Sequence, residues 1–272
     1  MELDTGTEEL RAQLEDGVVT LTLNRPESRN ALSDTLSPAF RRMLARLAEM
    51  EEARCVVVTG SGTAFCAGGD VKGMGGNSRR ADAPRSREEA VADLTERQLT
   101  LTGALYALPQ PTIASLPGAA AGAGFSIALA CDLRIAAASA FVTTGFRNVG
   151  LSGDYGASFF LTQLVGTAKA RELFYTAERV DADTCLALGI VNRVVPDAEL
   201  SEATATLARD LAAGPTTAFR LMKENLDRAL REDLPACLAA EAAGTVATAA
   251  TSDHREAVQA FIQKRRPAFT GR

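Results

Sequence analysis

Two glycine-rich segments of the chain have the residue types needed to hold a negatively charged oxygen. The first reads FCAGGDVK over residues 65–72, and the second reads GAAAGAGFS over residues 118–126. Each follows a strand-like apolar run and leads into a helix-like segment. Small side chains let a ligand approach the main chain, and the first N–H groups of a helix have no partner within the helix. Two such turns can therefore direct two backbone N–H groups at one oxygen, which is the chemistry of an oxyanion hole.

The apolar patterns around these segments predict the elements that hold them. Residues 18–23 alternate like a half-buried strand, whereas 55–59 and 112–116 are continuous apolar runs typical of strands buried on both faces. Between the first two strands, apolar residues recur at helical spacing up to residue 50, and Ser33 or Ser37 can cap that helix. This order of strand, helix and strand predicts an α/β fold with crossover connections.

Composition excludes several classes of function. The chain has 272 residues, 46% of them hydrophobic, and a net charge of −5, so we expect a sizeable core and no nucleic-acid partner. The acidic N-terminal residues and the lack of long apolar stretches predict a cytoplasmic protein with no membrane partner. Five cysteines in apolar surroundings indicate free, buried thiols, and a single histidine, His254, leaves a zinc site short of ligands.

Six short motifs in order along the chain resemble those of one enzyme family. They are LTLNRP at 21–26 with NAL at 30–32, the two glycine-rich turns, VGL at 149–151, ALGIV at 187–191 and AFIQKRRPAF at 260–269. With these motifs the sequence resembles the crotonase superfamily, also called the enoyl-CoA hydratase/isomerase family, over nearly its whole length. No internal repeat is visible in the residue identities.

The resemblance implies a fold and an assembly. We expect a crotonase-type spiral of repeated ββα units at residues 1–205, which would contain the acyl-CoA site. Residues 206–272 would form a C-terminal α-helical region that mediates trimerisation, with helical segments near 219–231, 234–248 and 254–265. The protein would then be a homotrimer or a homohexamer.

The resemblance also implies the chemistry of the site. The substrate would be an acyl-CoA thioester, no cofactor or metal would be needed, and the common step would be an enolate held by two backbone N–H groups. Matched motif by motif, the donors are Gly69 and Ala123. Small residues at 119–121 are equally explained by close packing of helix on sheet.

Side chains decide which reaction follows. Family hydratases use two glutamates, whose positions here are occupied by Ser126 and Phe146, or Gly145 under a different alignment anchor, and none of these can ionise near neutral pH. Asp154 matches the acidic position of family members that shift double bonds, and a single base can perform such a shift. The alternative for Asp154 is a helix N-cap. The same position serves as a nucleophile in family dehalogenases, but these need a histidine base, and His254 lies far along the chain.

The coenzyme A contacts carry over residue by residue. By resemblance, the main chain around Arg29 and Ala31 and the turn at Ala67 and Gly68 would bind the adenine and pantetheine groups. Arg29 and, across a subunit boundary, Lys264 are candidates for the phosphates, although either can be a solvated surface charge. Phe146 would line the acyl pocket, and residues 73–87 form either a surface insertion or a flap bordering that pocket.

Three functions are therefore considered. The first is an isomerase of unsaturated acyl-CoAs, with Asp154 as acid and base, in fatty-acid or related acyl-CoA metabolism. The second is an atypical or weak enoyl-CoA hydratase, which would be a lyase. The third is a non-catalytic acyl-CoA-binding subunit, which would bind without turnover.

Overall fold

The computed structural model of the chain describes residues 1–70 and 86–272. The strands are β1 (Glu2–Leu3), β2 (Leu10–Glu15), β3 (Val18–Leu23), β4 (Cys55–Gly60), β5 (Ala64–Cys66), β6 (Thr112–Leu116), β7 (Ala119–Ala121), β8 (Leu133–Ala137), β9 (Phe141–Thr143), β10 (Val180–Asp181) and β11 (Arg193–Val195). Among the described residues, the α-helices longer than one turn are α1 (Leu36–Ala48), α2 (Arg87–Gln98), α3 (Ala123–Ala130), α4 (Ala157–Thr176), α5 (Ala182–Ala187), α6 (Leu200–Ala212), α7 (Thr216–Ala229), α8 (Leu234–Ala249) and α9 (Ser252–Gln263). Most of the loop predicted at 73–87 lies outside the described residues.

The strands form two sheets. The larger has seven strands in the order β1-β2-β3-β4-β6-β8-β11, and the smaller has four in the order β10-β9-β7-β5. In the larger sheet, β1 to β3 pair antiparallel, whereas the pairs from β3 through β4, β6 and β8 to β11 are parallel. In the smaller sheet, β5, β7 and β9 pair parallel, and β10 pairs antiparallel with β9. Parallel strands need crossover connections, and these are supplied by the helices. The predicted α/β class is confirmed.

The chain passes from one sheet to the other in every turn of a spiral. Strand β4 belongs to the larger sheet and β5 to the smaller, and β6 with β7 and β8 with β9 repeat this order before a helix follows. Glycines stand where the chain changes sheet: a Cβ on Gly60 would collide with the carbonyl oxygens of Ala64 and Phe65, and one on Gly118 with that of Thr63. The predicted spiral of ββα units is therefore present.

The core forms between the larger sheet and its helices. Strand β6 is buried along its whole length, as its continuous apolar run predicted. Helix α1 buries one face that includes Phe40 and Leu44. Its N-cap residue is Thr35, which makes no side-chain capping bond, but the Oγ of Ser33 accepts a hydrogen bond from the Leu36 N–H at 2.9 Å. Of the two predicted caps, Ser33 therefore binds the first N–H of the helix from two residues before the N-cap.

The three C-terminal helices are present and attach to the spiral through polar contacts. Lys223 of α7 lies 3.0 Å from the Asp132 carboxylate, and the Tyr106 hydroxyl donates a 2.6 Å hydrogen bond to Asp227 of α7. The expected boundary at residues 205 and 206 falls inside α6, which packs on the larger sheet. The division into two domains stays a prediction.

Cysteine burial differs from expectation at one position. All five thiols are free, and Cys55, Cys66, Cys131 and Cys185 are buried, whereas Cys237 of α8 is half-buried because α8 covers no core. Burial raises the pKa of Cys66 to about 12, which keeps that thiol neutral. Among the described residues, no helix is long and apolar enough to cross a membrane.

Candidate active site

The two glycine-rich turns meet at the ends of neighbouring strands β5 and β7. Gly68 has φ +91°, and a Cβ placed there would lie 2.8 Å from the Ala121 carbonyl oxygen and 3.4 Å from the Ala123 nitrogen. A Cβ on Gly124 would collide with the Cys66 carbonyl oxygen. The turns approach this closely only because glycine has no side chain.

The N–H group of Gly69 is left available by the pairing of its neighbours. Leu32 donates to the Gly68 carbonyl at 2.8 Å, and its own carbonyl accepts from the Asp70 N–H at 3.2 Å. This bridge flanks Gly69, so the N–H of Gly69 points away from Leu32. Within residues 1–70 and 86–272 it has no hydrogen-bond acceptor.

The N–H group of Ala123 stands at the first position of α3. Its predecessor Gly122 has φ +52° and ψ −127°, a conformation that glycine alone adopts readily, and this turn aims the helix N-terminus. First-turn N–H groups have no partner inside a helix, and the helix dipole favours negative charge there. In the described part of the chain the Ala123 N–H also meets no acceptor, so both predicted donors are available to a ligand oxygen.

Asp154 is a partly buried carboxylate that does not cap a helix. Helix α4 begins at Ala157 with Gly156 at its N-cap and no side-chain capping bond. The Oδ1 atom of Asp154 is fully buried and has no hydrogen-bond partner among the described residues. Burial raises the pKa of the Asp154 carboxyl to about 6. The alternative prediction, that the Asp154 side chain caps this helix, is therefore wrong. A buried carboxyl group whose Oδ1 has no partner among the described residues is the kind of group that can exchange a proton near neutral pH.

The two positions that hold glutamates in family hydratases carry other chemistry. The fully buried Ser126 hydroxyl lies 3.1 Å from the Asp154 carbonyl oxygen and 3.2 Å from that of Gly122. Phe146 is buried and stacks on Phe174 with 5.9 Å between ring centroids. A Cβ on either Gly122 or Gly153 would lie 3.8 Å from the Phe146 ring, so this ring fills the space between the oxyanion turn and the Asp154 segment.

Some of the residues that we expect to bind coenzyme A lie beside the first glycine-rich turn. The Ala67 N–H donates to the Arg29 carbonyl at 2.9 Å, which joins these two candidates directly. Arg29 is exposed at φ +51°, and Ala31 is buried with its carbonyl bound by Arg25 at 2.7 Å. Lys264 is exposed at the end of α9, and no hydrogen bond or ion pair of the described chain joins it to the turns. Contacts of Arg29, Ala31, Ala67, Gly68 and Lys264 with coenzyme A stay predictions.

Two buried or half-buried polar residues of this region were missed by sequence reasoning. Asn30 is fully buried, and its amide donates to the carbonyls of Ser61 and Ala64 at 2.9 and 2.7 Å, which fixes the turn between β4 and β5. Asn30 belongs to the NAL motif at 30–32, and this motif could have indicated a structural role for the Asn30 side chain. Gln98 accepts a hydrogen bond from the Tyr155 N–H at 2.9 Å, and no local pattern indicates that contact.

Among the described residues, His254 and the acidic side chains do not form a metal site. His254 is exposed in the first turn of α9, as expected, and its N–H is bound by the Thr251 hydroxyl. Within the described ranges no three His, Cys, Asp or Glu side chains gather as a metal site would require. That the reaction needs no metal stays a prediction.

Comparisons with known proteins agree with the resemblance drawn from the sequence motifs. The family model described as enoyl-CoA hydratase/isomerase matches residues 13–272. A probable enoyl-CoA hydratase of Rhodobacter capsulatus is 37% identical over 263 residues, covering 97% of this chain and 98% of that protein. The 1,2-epoxyphenylacetyl-CoA isomerase of Escherichia coli is 34% identical over 261 residues, covering 96% and 98%.

A solved structure shows the same architecture. The crystal structure of a putative enoyl-CoA hydratase/isomerase from Mycobacterium abscessus superposes with a TM-score of 0.88 at 32% identity, and the match covers 97% of this chain and all of that one (100%). The paired glycine-rich turns, the ββα spiral and these matches together show that this chain belongs to the enoyl-CoA hydratase/isomerase family of the crotonase superfamily.

Proposed function

We propose that this enzyme shifts a double bond in an unsaturated acyl-CoA, with Asp154 moving the proton. The observation that carries the proposal is the state of that side chain: Oδ1 is buried without a partner among the described residues, and burial raises its pKa to about 6. A general acid and base works best when its pKa lies near the working pH. The carboxyl of Asp154 can therefore both accept and return a proton.

The proposed reaction begins with the thioester oxygen bound by the N–H groups of Gly69 and Ala123. The Asp154 carboxylate removes a proton from the α-carbon of a 3-enoyl-CoA, and the C–H electron pair moves to give a dienolate whose charge rests on that oxygen. The protonated carboxyl then returns the proton to the γ-carbon, which leaves the double bond between the α- and β-carbons. Nothing is oxidised or reduced and the proton is conserved, so the proposed step consumes no cofactor.

The residues at the hydratase positions support isomerisation over hydration. Hydration needs groups that activate and orient a water molecule, but Ser126 is engaged by two carbonyls and Phe146 presents an apolar ring. Exclusion of water also protects a reactive dienolate. The E. coli relative, an isomerase by name, is in keeping with this proposal.

Hydration remains the second candidate, because the Rhodobacter capsulatus relative is named a probable hydratase. The test is a panel of 3-enoyl-, 2-enoyl- and dienoyl-CoA thioesters in D₂O, with product analysis by mass spectrometry and NMR. Isomerisation supports the proposal, and the fraction of deuterium at the γ-carbon measures how often the proton on Asp154 exchanges with solvent before it is returned. A 3-hydroxyacyl-CoA product from the 2-enoyl ester would favour hydration, and tight binding without any turnover would favour a binding subunit.

We also propose a homotrimer or homohexamer in the cytoplasm. Apolar side chains on the C-terminal helices are strongly exposed, including Leu226 at 71%, Val246 at 73% and Phe261 at 86%. Several large apolar side chains left exposed on three consecutive helices are typical of a region that forms a protein interface. Free thiols are in keeping with a reducing compartment.

A further inference from the structure

One peptide unit beside the candidate base is held by side chains on both of its sides. The carbonyl oxygen of Asp154 accepts a hydrogen bond from the Ser126 hydroxyl at 3.1 Å. The N–H of Tyr155, which belongs to the same peptide unit, donates to Oε1 of Gln98 at 2.9 Å. The unit is thus fixed by residues of two different helices, α3 and α2.

The segment around this peptide is irregular and makes further backbone hydrogen bonds: the Ala157 N–H donates to the Asp154 carbonyl at 3.1 Å, and the Leu151 N–H donates to the Phe146 carbonyl at 3.0 Å. Residues 150–156 lie between a short 3₁₀ turn and α4 and belong to no strand or helix. Gly150, Gly153, Tyr155 and Gly156 have φ values of +69°, +113°, +50° and +79°. Glycine-rich backbone has many alternative conformations, so an irregular segment of this composition holds one conformation only if specific contacts select it.

Ser126 touches both halves of the site. Its hydroxyl lies 3.2 Å from the Gly122 carbonyl, and that carbonyl shares a peptide unit with the N–H of Ala123. A hydroxyl has one proton to donate, so the two carbonyls compete for it or share it. Ser126 therefore links the peptide that carries one oxyanion donor to the peptide that carries the base.

Gln98 approaches from the opposite side. It is the last residue of α2 and directly precedes a π-helical turn at Leu99–Gly103. Single π-helical turns within helices occur often at functional sites, because the extra residue redirects a side chain. The side chain of Gln98 is half-buried, so it can be changed with less risk to the fold than Ser126.

We propose that Ser126 and Gln98 are positioning residues for proton transfer, because together they fix the Asp154–Tyr155 peptide and so set where the carboxyl of Asp154 lies relative to the oxyanion donors. We call these two bonds the peptide clamp. This inference rests on the proposed function. Neither side chain is charged, so the clamp acts through distance and burial, and small displacements of a catalytic group cost large factors in rate.

Within the described ranges, four charged groups act on the Tyr155 side chain next to the clamped peptide. Arg41, Arg97, Asp93 and Asp154 act on the Tyr155 hydroxyl, whereas burial is the cause of the raised pKa of Asp154. A loosened segment would let water reach the Asp154 carboxyl, and its pKa would then fall towards the ordinary value near 4. The acid limb of the pH–rate profile therefore reports on the clamp.

The experiment compares Ser126→Ala, Gln98→Met and the double variant with wild type, using 3-hexenoyl-CoA as the probe. Each single variant should lower kcat by about 10- to 100-fold with KM changed less than about threefold, and should move the acid limb to lower pH. The double variant should be little worse than the poorer single one, since both bonds hold one peptide. Gln98→Glu keeps the acceptor for the Tyr155 N–H, so it should restore most of kcat, and its added charge should move the acid limb to higher pH.

Matched controls are available elsewhere in the chain. Ser115→Ala removes a buried hydroxyl that bonds Thr204 at 2.9 Å, and Gln110→Met removes a buried amide that bonds the Leu47 carbonyl at 2.8 Å. Both changes match the clamp variants in chemistry but lie away from Asp154 in the sequence and in their contacts. In both control variants, we expect kcat and the acid limb of the pH–rate profile to stay at the wild-type values, once any loss of folded protein has been corrected for.

The outcomes separate the clamp from the proposed function. If Asp154→Asn still isomerises the probe, the proposed function fails and the clamp fails with it. If Asp154→Asn is inactive but both clamp variants behave like their controls, only the clamp is overturned. The clamp would also be overturned if kcat fell only in proportion to a lower melting temperature while the acid limb of the pH–rate profile stayed unchanged. Should Ser126→Ala not fold, Gln98→Met and Gln98→Glu decide the question.

Discussion

Gly68 and Ala123 bring the two halves of the oxyanion site together: a Cβ on Gly68 would lie 3.4 Å from the Ala123 nitrogen and 2.8 Å from the Ala121 carbonyl oxygen. The two residues are far apart in sequence and meet because β5 and β7 are parallel neighbours in the smaller sheet. Any side chain at Gly68 would push the turns apart and would also be strained at φ +91°. This contact makes the oxyanion site sensitive to single substitutions.

The first prediction concerns the Ala123 donor. Ala123→Pro removes the N–H at the first position of α3, where proline is tolerated, and should lower turnover by about 10²- to 10³-fold. Ala182→Pro is the matched control, since Ala182 is the buried first residue of α5 and should leave turnover near wild type. Steady-state kinetics with circular dichroism as a folding check would measure this. Equal turnover in a folded Ala123→Pro variant would remove Ala123 from the oxyanion site.

The second prediction concerns the pH dependence of the wild-type enzyme. The proton acceptor is the ionised form of Asp154, and burial raises its pKa to about 6. We expect kcat/KM to be constant well above pH 6 and to fall about tenfold per pH unit well below it. Initial rates between pH 4.5 and 8.5, with the fold monitored at each pH, test this. A flat profile across pH 6 would contradict the role of Asp154.

The third prediction joins activity to stability through Asp154→Asn. The variant keeps the shape of the side chain but cannot accept the proton, so isomerisation and deuterium exchange should be lost. Because the folded pKa is raised, the ionised carboxylate destabilises the fold above pH 6, and this penalty vanishes below the unfolded pKa near 4. Asn should therefore stabilise the protein at pH 8 by about 1–2 kcal/mol, allowing for partial solvent access, and by almost nothing at pH 4.

The measurement for the third prediction is urea unfolding of both proteins at pH 8 and pH 4. Asp197→Asn is a useful comparison, because Asp197 is exposed and its pKa is lowered by hydrogen bonds from the Ser139 hydroxyl and from the Ser139 N–H, the latter at 3.0 Å. That change should not stabilise the protein at pH 8. A destabilised Asp154→Asn variant at pH 8 would mean that the carboxylate has a favourable partner in solution.

The fourth prediction concerns the missing hydratase groups. Ser126→Glu combined with Phe146→Glu returns carboxylates to both positions, and we expect hydration of a 2-enoyl-CoA to become measurable while isomerisation falls. Both sites are buried, so the double variant should lose several kcal/mol of stability, on the order expected for buried charge. Each single variant serves as a control that should not hydrate efficiently. Efficient hydration by the wild type would make these substitutions unnecessary and the proposed reaction wrong.

The fifth prediction concerns assembly. Phe261 is 86% exposed and Ile262 is 73% exposed on α9, so we expect sedimentation to give a species of three or six chains that bury them. Phe261→Glu should weaken that assembly. Tyr175→Glu, at a 70% exposed aromatic residue of α4, is the control and should not. A stable monomer of the wild type at micromolar concentration would contradict the prediction.

The sequence by itself determined several of the helices and strands and the two glycine-rich turns. Alternation at residues 18–23, the apolar run at 112–116 and the small residues around Gly69 and Ala123 are local patterns, and local patterns follow from backbone geometry. The hydrogen bond that Ser33 accepts at the start of α1 is local as well, because its Oγ reaches an N–H only three residues away. Such features need no knowledge of the rest of the chain.

Only the tertiary structure decided the surroundings of Asp154. Sequence reasoning left a helix cap and a proton carrier open for Asp154, and the fold begins the helix at Ala157 behind Gly156 and leaves Oδ1 buried without a bond from the described residues. The bonds of Gln98 and Ser126 to the Asp154–Tyr155 peptide span 57 and 28 residues. Contacts over such separations depend on how the spiral closes, and no short sequence pattern contains that information.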